Sequence, residues 1–406
     1  MLNKFSKILC CTLLSLAASG QAAEYDLHPS LAVSSEFTDN VFETSSNRVS
    51  DYIVRTLPGL TATYTSQALK TDLAYLFDYR HYVQKKRDDE ITHSLTAKGA
   101  LTVVENLLHL TVSEEYQRVS LDATRDVTRE SLFLNQSDRN VVSVSPYITL
   151  RPSERTSLKA GYRFTDTRYF KSSAIDKVDH SAYTNLAYEL SKRLSLTADY
   201  TFTRELADID NLSQHRALGG FRYEYAATSF VFAQGGNSWT RYSKSRRLSS
   251  VVWDAGLSHV FDTRTVMLAT GVRYNEDPLS DMIKESYVSG SLEQRLDKGS
   301  VSISPLYSNF VPTKSASQRT EKYGASLRGQ YELGPDLSGT VVFSAEKYEQ
   351  LGSYTRRFQV DSGLSCLLAK GLTASLTYIY VEYYSPGIVA DNRHINRAML
   401  QVSKIF

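Results

Sequence analysis

Apolar and polar residues alternate along most of this chain, and this two-residue period limits the folds that it can adopt. Within 157–164 every second residue is apolar, and the residues between them include Lys159 and Arg163. Successive side chains of a β-strand point to opposite faces, so one face takes apolar groups while the other tolerates charge. The same pattern returns at 194–203, 323–333 and 372–380. The period predicts an all-β protein.

The length of the alternating segments favours a membrane barrel over a soluble sandwich. They hold their pattern for about ten to fourteen residues, whereas soluble strands usually run about five or six. Short connections such as 152–154 alternate with longer polar ones such as 122–135 and 351–354. We therefore predict a transmembrane antiparallel up-and-down β-barrel of roughly twenty strands (roughly 16 to 22), with both termini on the periplasmic side.

The first 23 residues have the organisation of a secretory signal peptide. Lys4 and Lys7 give a positive start, 8–18 is apolar, and the small residues Ala22 and Ala23 offer a cleavage site. The predicted domains are a signal peptide at 1–23 and an outer-membrane barrel at 24–406. The mature chain would keep one cysteine, Cys366, and so could form no internal disulfide.

Composition argues against several classes of function. The formal net charge of +2 gives no basic footprint for nucleic acid. No Cys-x-x-Cys-His motif is present for haem attachment, and we expect no cofactor and no metal site. Asp179, His180 and Ser181 are adjacent, so they would not converge as a catalytic triad. We expect no enzymatic activity.

The charges of the polar face predict a hydrated lumen, because a charge on the lipid face costs roughly 2 to 4 kcal/mol near the midplane of the bilayer. The set mixes both signs and indicates no ion preference. Tyr183 and Tyr348 would also face inward and could stack against sugars. The candidate lumen residues are Lys159, Arg163, Asp199, Arg216, Arg222, Glu224, Asp254, Arg273, Glu293, Arg328, Glu346 and Asp361.

The tyrosine content and the C-terminus indicate partners in the envelope. The 27 Tyr residues suit girdles at the two membrane interfaces. Phe406, at the end of an alternating segment, is typical of the signal read by the barrel-assembly machinery, although Lys404 departs from that pattern. The charged segments 85–90 and 244–247 are candidates for contact with lipopolysaccharide phosphates in the outer-membrane lipid, with solvated loop tips as the favoured alternative.

The chain resembles the family of β-barrel porins associated with exopolysaccharide and exosortase (PEP-CTERM) systems in Gram-negative bacteria. The resemblance rests on Pro58-Gly59-Leu60, on tyrosine-rich hairpin segments such as 158–164 and 196–202, and on the terminal Phe406. It implies an outer-membrane component linked to polysaccharide export, with polysaccharide-export proteins as partners. It implies no catalytic residues.

We therefore expect a channel of the outer membrane, either a diffusion pore or an export pore for envelope polysaccharide. The alternative is a non-conducting sheath or scaffold for an envelope complex, such as an electron-conduit porin around a separate cytochrome. An outer-membrane lipid enzyme is disfavoured, because no nucleophile constellation is present.

Overall fold

The computed structural model describes residues 23–122, 124, 136–170, 173–208, 210–244, 247–279, 282–313, 318–386 and 392–406. Nearly all of the predicted signal peptide therefore lies outside the described residues. The described chain forms one sheet of twenty antiparallel strands, in which β1 pairs with both β2 and β20. The sheet is closed, so the predicted up-and-down β-barrel is confirmed. Among the described residues, no helix is long and apolar enough to cross a membrane.

The wall strands have between 13 and 18 residues. Since a tilted membrane strand needs only about 9 to 11 residues, the strands extend beyond the hydrocarbon layer at their ends. They are β1 (Glu24–Thr38), β2 (Asp51–Thr65), β3 (Leu69–Tyr82), β4 (Glu90–Val104), β5 (Leu108–Ser120), β6 (Gln136–Ser153), β7 (Thr156–Phe170), β8 (Lys177–Ser191), β9 (Leu194–Ala207), β10 (Leu212–Ala226), β11 (Ser229–Tyr242), β12 (Arg247–Val260), β13 (Arg264–Glu276), β14 (Met282–Leu296), β15 (Gly299–Pro312), β16 (Thr320–Glu332), β17 (Leu337–Gln350), β18 (Ser353–Ala369), β19 (Leu372–Tyr384) and β20 (Arg393–Ile405).

The first and last strands close the barrel in register. Val33 lies opposite Val402, and the backbone N–H of Phe406 donates to the carbonyl of Pro29 at 2.9 Å. Because the strand number is even, both termini lie at the same end of the barrel, where the connections are short. By the rule for such barrels this is the periplasmic end, and the longer connections are extracellular.

One connection differs from its predicted length. Residues 351–354 were expected to form a longer loop, but β17 and β18 are joined by Leu351 and Gly352 alone. Both residues have positive φ, 51° and 79°, as a two-residue primed turn requires. The prediction was wrong because a glycine after a turn position allows a tight hairpin even between polar strands.

The two faces of the wall differ as the alternation predicts. On β1, Ser34 and Glu36 are buried inside the barrel, while Val33, which precedes them, and Phe37, which follows them, are exposed on the outside. Large apolar side chains continue around the outer face, as lipid contact requires. The single cysteine of the predicted mature chain, Cys366, lies on this outer face near a short turn, opposite Leu337.

The outer face carries a repeated aromatic–histidine arrangement near the extracellular strand ends. His93, His180 and His215 each lie at the fourth position of a strand that starts at that end. Each ring Nδ1 is 2.5 to 2.8 Å from a tyrosine Oη of the preceding strand. Each also lies directly opposite a phenylalanine of that strand. These clusters fit the polar tips and apolar bodies of an interfacial girdle.

Candidate functional site

The inner wall is the candidate functional surface. The strand register places every predicted lumen residue on the inward face, where these residues alternate with exposed outward residues such as Tyr162 and Tyr200. This holds for Lys159, Arg163, Asp199, Arg216, Arg222, Glu224, Asp254, Arg273, Glu293, Arg328, Glu346 and Asp361.

Three inward aspartates are held by neutral donors. Asp199 accepts a hydrogen bond from Asn185 Nδ2 at 2.6 Å. Asp254 accepts one from the Tyr287 hydroxyl at 2.5 Å. Asp361 accepts one from Gln359 Nε2 at 2.7 Å. Each carboxylate is therefore oriented by a donor that carries no charge.

Four inward cations lack a carboxylate partner. Among the described residues, no carboxylate oxygen lies within 4.0 Å of Lys159, Arg163, Arg216 or Arg328. The Lys159 ammonium instead lies 3.8 Å from the centre of the Tyr147 ring. An unpaired cation is stable on a wall only if water reaches it, so these residues indicate a hydrated lumen.

Other predicted lumen residues are paired. Arg273 lies 2.8 Å from Glu285, and Arg222 lies 3.5 Å from Glu224. The Arg222 guanidinium also covers the ring of Phe230, 3.4 Å from its centre. The inner wall thus carries both ion pairs and charged residues that have no partner of opposite charge.

A tyrosine ring and the Cβ of a second tyrosine pack against a glycine on the inner wall. A Cβ added to Gly161 would come within 2.7 Å of Tyr147 Cβ and Tyr183 Cζ, from the two flanking strands. The two tyrosines therefore occupy the space that a side chain on β7 would take. Arg163 lies 5.3 Å from the Tyr183 ring centre and Lys159 contacts Tyr147. We call these five residues the Gly161 platform.

The same arrangement of a ring over a glycine occurs at two more inward positions. A Cβ at Gly256 would lie 2.8 Å from the Phe232 ring, and one at Gly271 would lie 3.1 Å from the Tyr287 ring. Rings that lie along the wall cover backbone and leave the lumen free. The sequence alone does not predict this feature, because the contact between ring and glycine depends on the register of neighbouring strands.

Tyr348, the second inward tyrosine of the sequence analysis, has a different environment. Its hydroxyl donates to Glu346 at 2.9 Å, and the residue is only 7% exposed. Glu346 also pairs with Lys322 at 3.2 Å and Arg357 at 3.0 Å. This buried cluster offers no free ring face, so Tyr183 is the better candidate for contact with a solute.

A network of ion pairs lines the extracellular end of β1–β4. Asp78 bridges Arg55 at 2.6 Å and Arg80 at 2.8 Å. Arg80 also lies 3.5 Å from Glu90, and Arg55 lies 3.7 Å from Glu36. All five side chains are mostly buried on the inner face, and each of them has at least one partner of opposite charge. We call it the inner-rim network.

The β1–β2 connection folds into the barrel mouth beside this network. Val41 packs with Ile53 and Tyr82 in a small buried cluster. Glu43, 3% exposed, accepts a hydrogen bond from Arg397 of β20 at 2.6 Å. The connection is thus anchored against the inner wall.

A second contact bridges the mouth between strands that are not neighbours. The Ile175 N–H donates to the Pro278 carbonyl at 2.9 Å, joining the connections after β7 and β13. Lys177, 1% exposed, lies 3.5 Å from Glu276 and 3.4 Å from the Asp277 carbonyl. These contacts join two connections of the mouth that belong to distant strands, which the sequence did not reveal.

The adjacent Asp179, His180 and Ser181 do not converge. Asp179 and Ser181 face inward on β8, whereas His180 faces outward and contacts Tyr162. In the described part of the chain, no group of three or more His, Cys, Asp or Glu residues could hold a metal ion.

Comparison with known proteins gives a likeness of fold. No protein-family profile and no curated protein matches this chain. A mutant of the ferric enterobactin receptor PfeA of Pseudomonas aeruginosa is similar at a TM-score of 0.56 and 10% identity, over 94% of this chain and 80% of that one. The FrpB iron transporter of Neisseria meningitidis is similar at 0.55 and 9%, over 94% and 83%. The siderophore receptor PirA of Pseudomonas aeruginosa is similar at 0.52 and 11%, over 95% and 81%.

These structures share the barrel architecture with this chain. The chain has the fold of an outer-membrane β-barrel, in agreement with the location that the sequence predicts. At such low identity the likeness says nothing about ligand or transported solute.

Proposed function

We propose that this protein is a channel of the outer membrane that passes polar solutes. The observation that carries the proposal is the inner wall, where Lys159, Arg163, Arg216 and Arg328 have no carboxylate partner among the described residues. Such charges need water, and a closed barrel of about twenty strands encloses more space than its side chains fill. We propose no catalytic role.

We propose carbohydrate as the solute class, with polysaccharide of the cell envelope as the physiological cargo. The Gly161 platform supports this, since sugar rings pack on flat aromatic faces while their hydroxyls bond to charged groups at the edge. Tyr183 is fixed for such contact by Ser145, whose hydroxyl lies 3.0 Å from the tyrosine hydroxyl. The resemblance to porins of exopolysaccharide systems points to the same cargo.

A non-conducting sheath or scaffold is the second candidate. It is supported by the contacts at the mouth, where Ile175 bonds to Pro278 and the β1–β2 connection is anchored by Glu43. In that case the lumen would hold a partner rather than a moving solute.

Planar-bilayer conductance of the refolded mature chain tests the channel directly. We expect stable openings that linear oligosaccharides block from one or both sides. Replacement Tyr183→Ala should weaken the block roughly fivefold, as loss of about 1 kcal/mol of stacking implies. The outward Tyr162→Ala is the matched control and should leave the block unchanged.

The outcomes separate the two candidates. A folded, heat-modifiable barrel without conductance would overturn the channel and favour the sheath. Openings that no oligosaccharide blocks would keep the channel but remove carbohydrate as its solute.

A further inference from the structure

The outer face of β9–β12 carries a row of arginines at its extracellular end. Arg204 lies opposite Ser213, Ser213 opposite Arg241, and Arg241 opposite Arg247. All three arginines are exposed and share the lipid-facing side with Trp239. The strand ends that carry them are those joined by the longer connections, so the row lies at the level of the outer-leaflet headgroups.

The three arginines have no carboxylate partner within the described chain. No described carboxylate oxygen lies within 4.0 Å of Arg204, Arg241 or Arg247, and Arg204 donates only to the Ser213 hydroxyl, at 3.2 Å. Arg241 and Arg247 are direct cross-strand neighbours, a placement that destabilises a sheet when the charges are alike. The row therefore carries a positive charge that no described carboxylate offsets, and an anion from outside the chain would offset it.

Two other outward basic residues near the same end are paired with carboxylates. Arg168 on β7 lies 2.8 Å from Asp166 and 3.2 Å from Asp176. Lys347 on β17 lies 2.7 Å from Glu349. Arg356, which lies opposite Lys347, has no carboxylate partner among the described residues, but three such arginines in one row occur on β9–β12.

An aromatic row lies directly below the arginines. Phe202, His215 and Trp239 follow one another across β9, β10 and β11. The arginine and aromatic rows border an outer-surface groove of about 740 Å³. A ligand here would meet cations at its upper end and ring faces beneath them.

Below the aromatic row the wall is recessed. The outward positions of β10 and β11 there are Ala217, Gly219, Gly235 and Asn237, and a Cβ built on Gly219 would meet nothing closer than 4.0 Å. The glycines are therefore not required by close packing. Larger side chains border the recess, namely Tyr200 on one side and Trp253 on the other, 45% and 38% exposed.

We propose that β9–β12 form a binding site for a phosphorylated glycolipid of the outer leaflet, of the lipid A type. The lipid phosphates would accept hydrogen bonds from Arg241, Arg247 and Arg204, since guanidinium groups bind phosphate in a bidentate manner. The acyl chains would descend past Trp239 into the recess. Charge complementarity, position in the leaflet and the recess between Tyr200 and Trp253 favour a lipid over a soluble anion. This site is independent of the lumen.

Native mass spectrometry of the full mature chain in detergent tests the proposal. The probe is purified bisphosphorylated lipid A, compared with a fully dephosphorylated lipid A. We expect the wild type to retain one bisphosphorylated molecule and to bind the dephosphorylated one at least about tenfold more weakly. The double substitution Arg241→Gln with Arg247→Gln should reduce retention by at least about tenfold, because it removes two charge-assisted contacts.

The matched control is the double substitution Arg168→Gln with Lys347→Gln, which removes two outward charges that are already paired. It should keep wild-type retention. Equal loss in both double variants would overturn the site, because it would show a general charge effect. Retention of inorganic phosphate alone that equals the retention of lipid A by the wild type would also overturn the site, because a free anion would then suffice.

Tryptophan fluorescence gives a second readout, which reports where the acyl chains of the bound lipid lie. The chain has two tryptophans, Trp239 and Trp253, and both border the proposed site. In a Trp253→Phe variant, lipid A with brominated acyl chains should quench Trp239. Quenching that persists fully after Arg241→Gln with Arg247→Gln would contradict the proposed phosphate anchor.

Discussion

The inner-rim network and the arginine row of β9–β12 both contain arginines, but the arginines differ in burial and in pairing. Arg55 and Arg80 face inward and share Asp78, and their side chains are 19% and 10% exposed. Arg241 and Arg247 face outward, are exposed, and stand opposite each other without a described carboxylate partner. The arginines of the inner-rim network are therefore paired with carboxylates of the same chain. The arginines of the row are available to an anion from outside the chain.

This difference shows how to separate structural charge from binding charge in a barrel. A buried cation must be paired, because removal of its partner leaves an uncompensated charge in a poorly hydrated place. An exposed cation row persists only at a small cost, and that cost is offset when an anion binds.

The largest effect should come from Asp78→Asn, which turns the paired rim into an unpaired one. Arg55 and Arg80 would then stand together, with Glu36 and Glu90 as more distant partners. We expect the free energy of unfolding to fall by about 3 kcal/mol. Urea unfolding in detergent micelles measures this. Asp199→Asn, whose carboxylate is held only by an amide, is the matched control and should cost less than about 1 kcal/mol.

A smaller loss should follow Glu43→Gln, which weakens the anchor of the β1–β2 connection. The Glu43 side chain is fully buried against Arg397, so the charge-assisted hydrogen bond is worth about 2 kcal/mol. We expect limited proteolysis within 39–50 to become faster, while the barrel stays folded. Ser46→Ala in the same connection should leave the cleavage rate unchanged. An unchanged rate in Glu43→Gln would show that the anchor is unnecessary.

The reverse exchange is Arg241→Glu, which makes the unpaired row into a paired one. A Glu opposite Arg247 replaces repulsion with attraction, so stability in detergent should rise by about 0.5 kcal/mol. Retention of lipid A should fall in the same variant. A rise in stability together with a fall in lipid A retention would show that Arg241 serves binding and not folding. A loss of stability would mean that Arg241 has a structural partner.

The smallest effect concerns the extracellular connection beside the inner-rim network. The His81 ring, 3.0 Å away, and the Tyr79 hydroxyl hold the pKa of the Asp89 carboxyl below its usual value. Since the folded pKa is lowered, these contacts stabilise the connection above the usual aspartate pKa of about 3.9 and are lost as the pH falls through the lower folded value. Carbon-13 NMR titration should show His81→Ala raising the pKa of Asp89, whereas Gln84→Ala should leave it in place.

The sequence alone predicts the features that depend on local order. The two-residue period places Lys159 and Arg328 on the inward face, because strand geometry fixes the side of each residue whatever its neighbours are. The period also predicts the closed barrel and its strand number. By contrast, the polar stretch 351–354 suggested a longer connection, although Gly352 after Leu351 permits a two-residue turn.

Features that need the register of separate strands could not be predicted. The Gly161 platform joins β6, β7 and β8, and the arginine row joins four strands. The bond from Ile175 to Pro278 links connections about a hundred residues apart. No local pattern predicts such contacts, because a shift of two residues in the pairing of neighbouring strands keeps every side chain on its face but changes its cross-strand neighbours.

The most direct test of the channel is cysteine accessibility during conductance recording. In a Cys366→Ser background, Arg163→Cys and Tyr162→Cys place one thiol on each face at the same height of β7. We predict that a charged methanethiosulfonate reagent lowers the current stepwise in Arg163→Cys and has no effect in Tyr162→Cys. Absence of current, or equal lack of reaction at both positions, would contradict a hydrated lumen lined by the inward face.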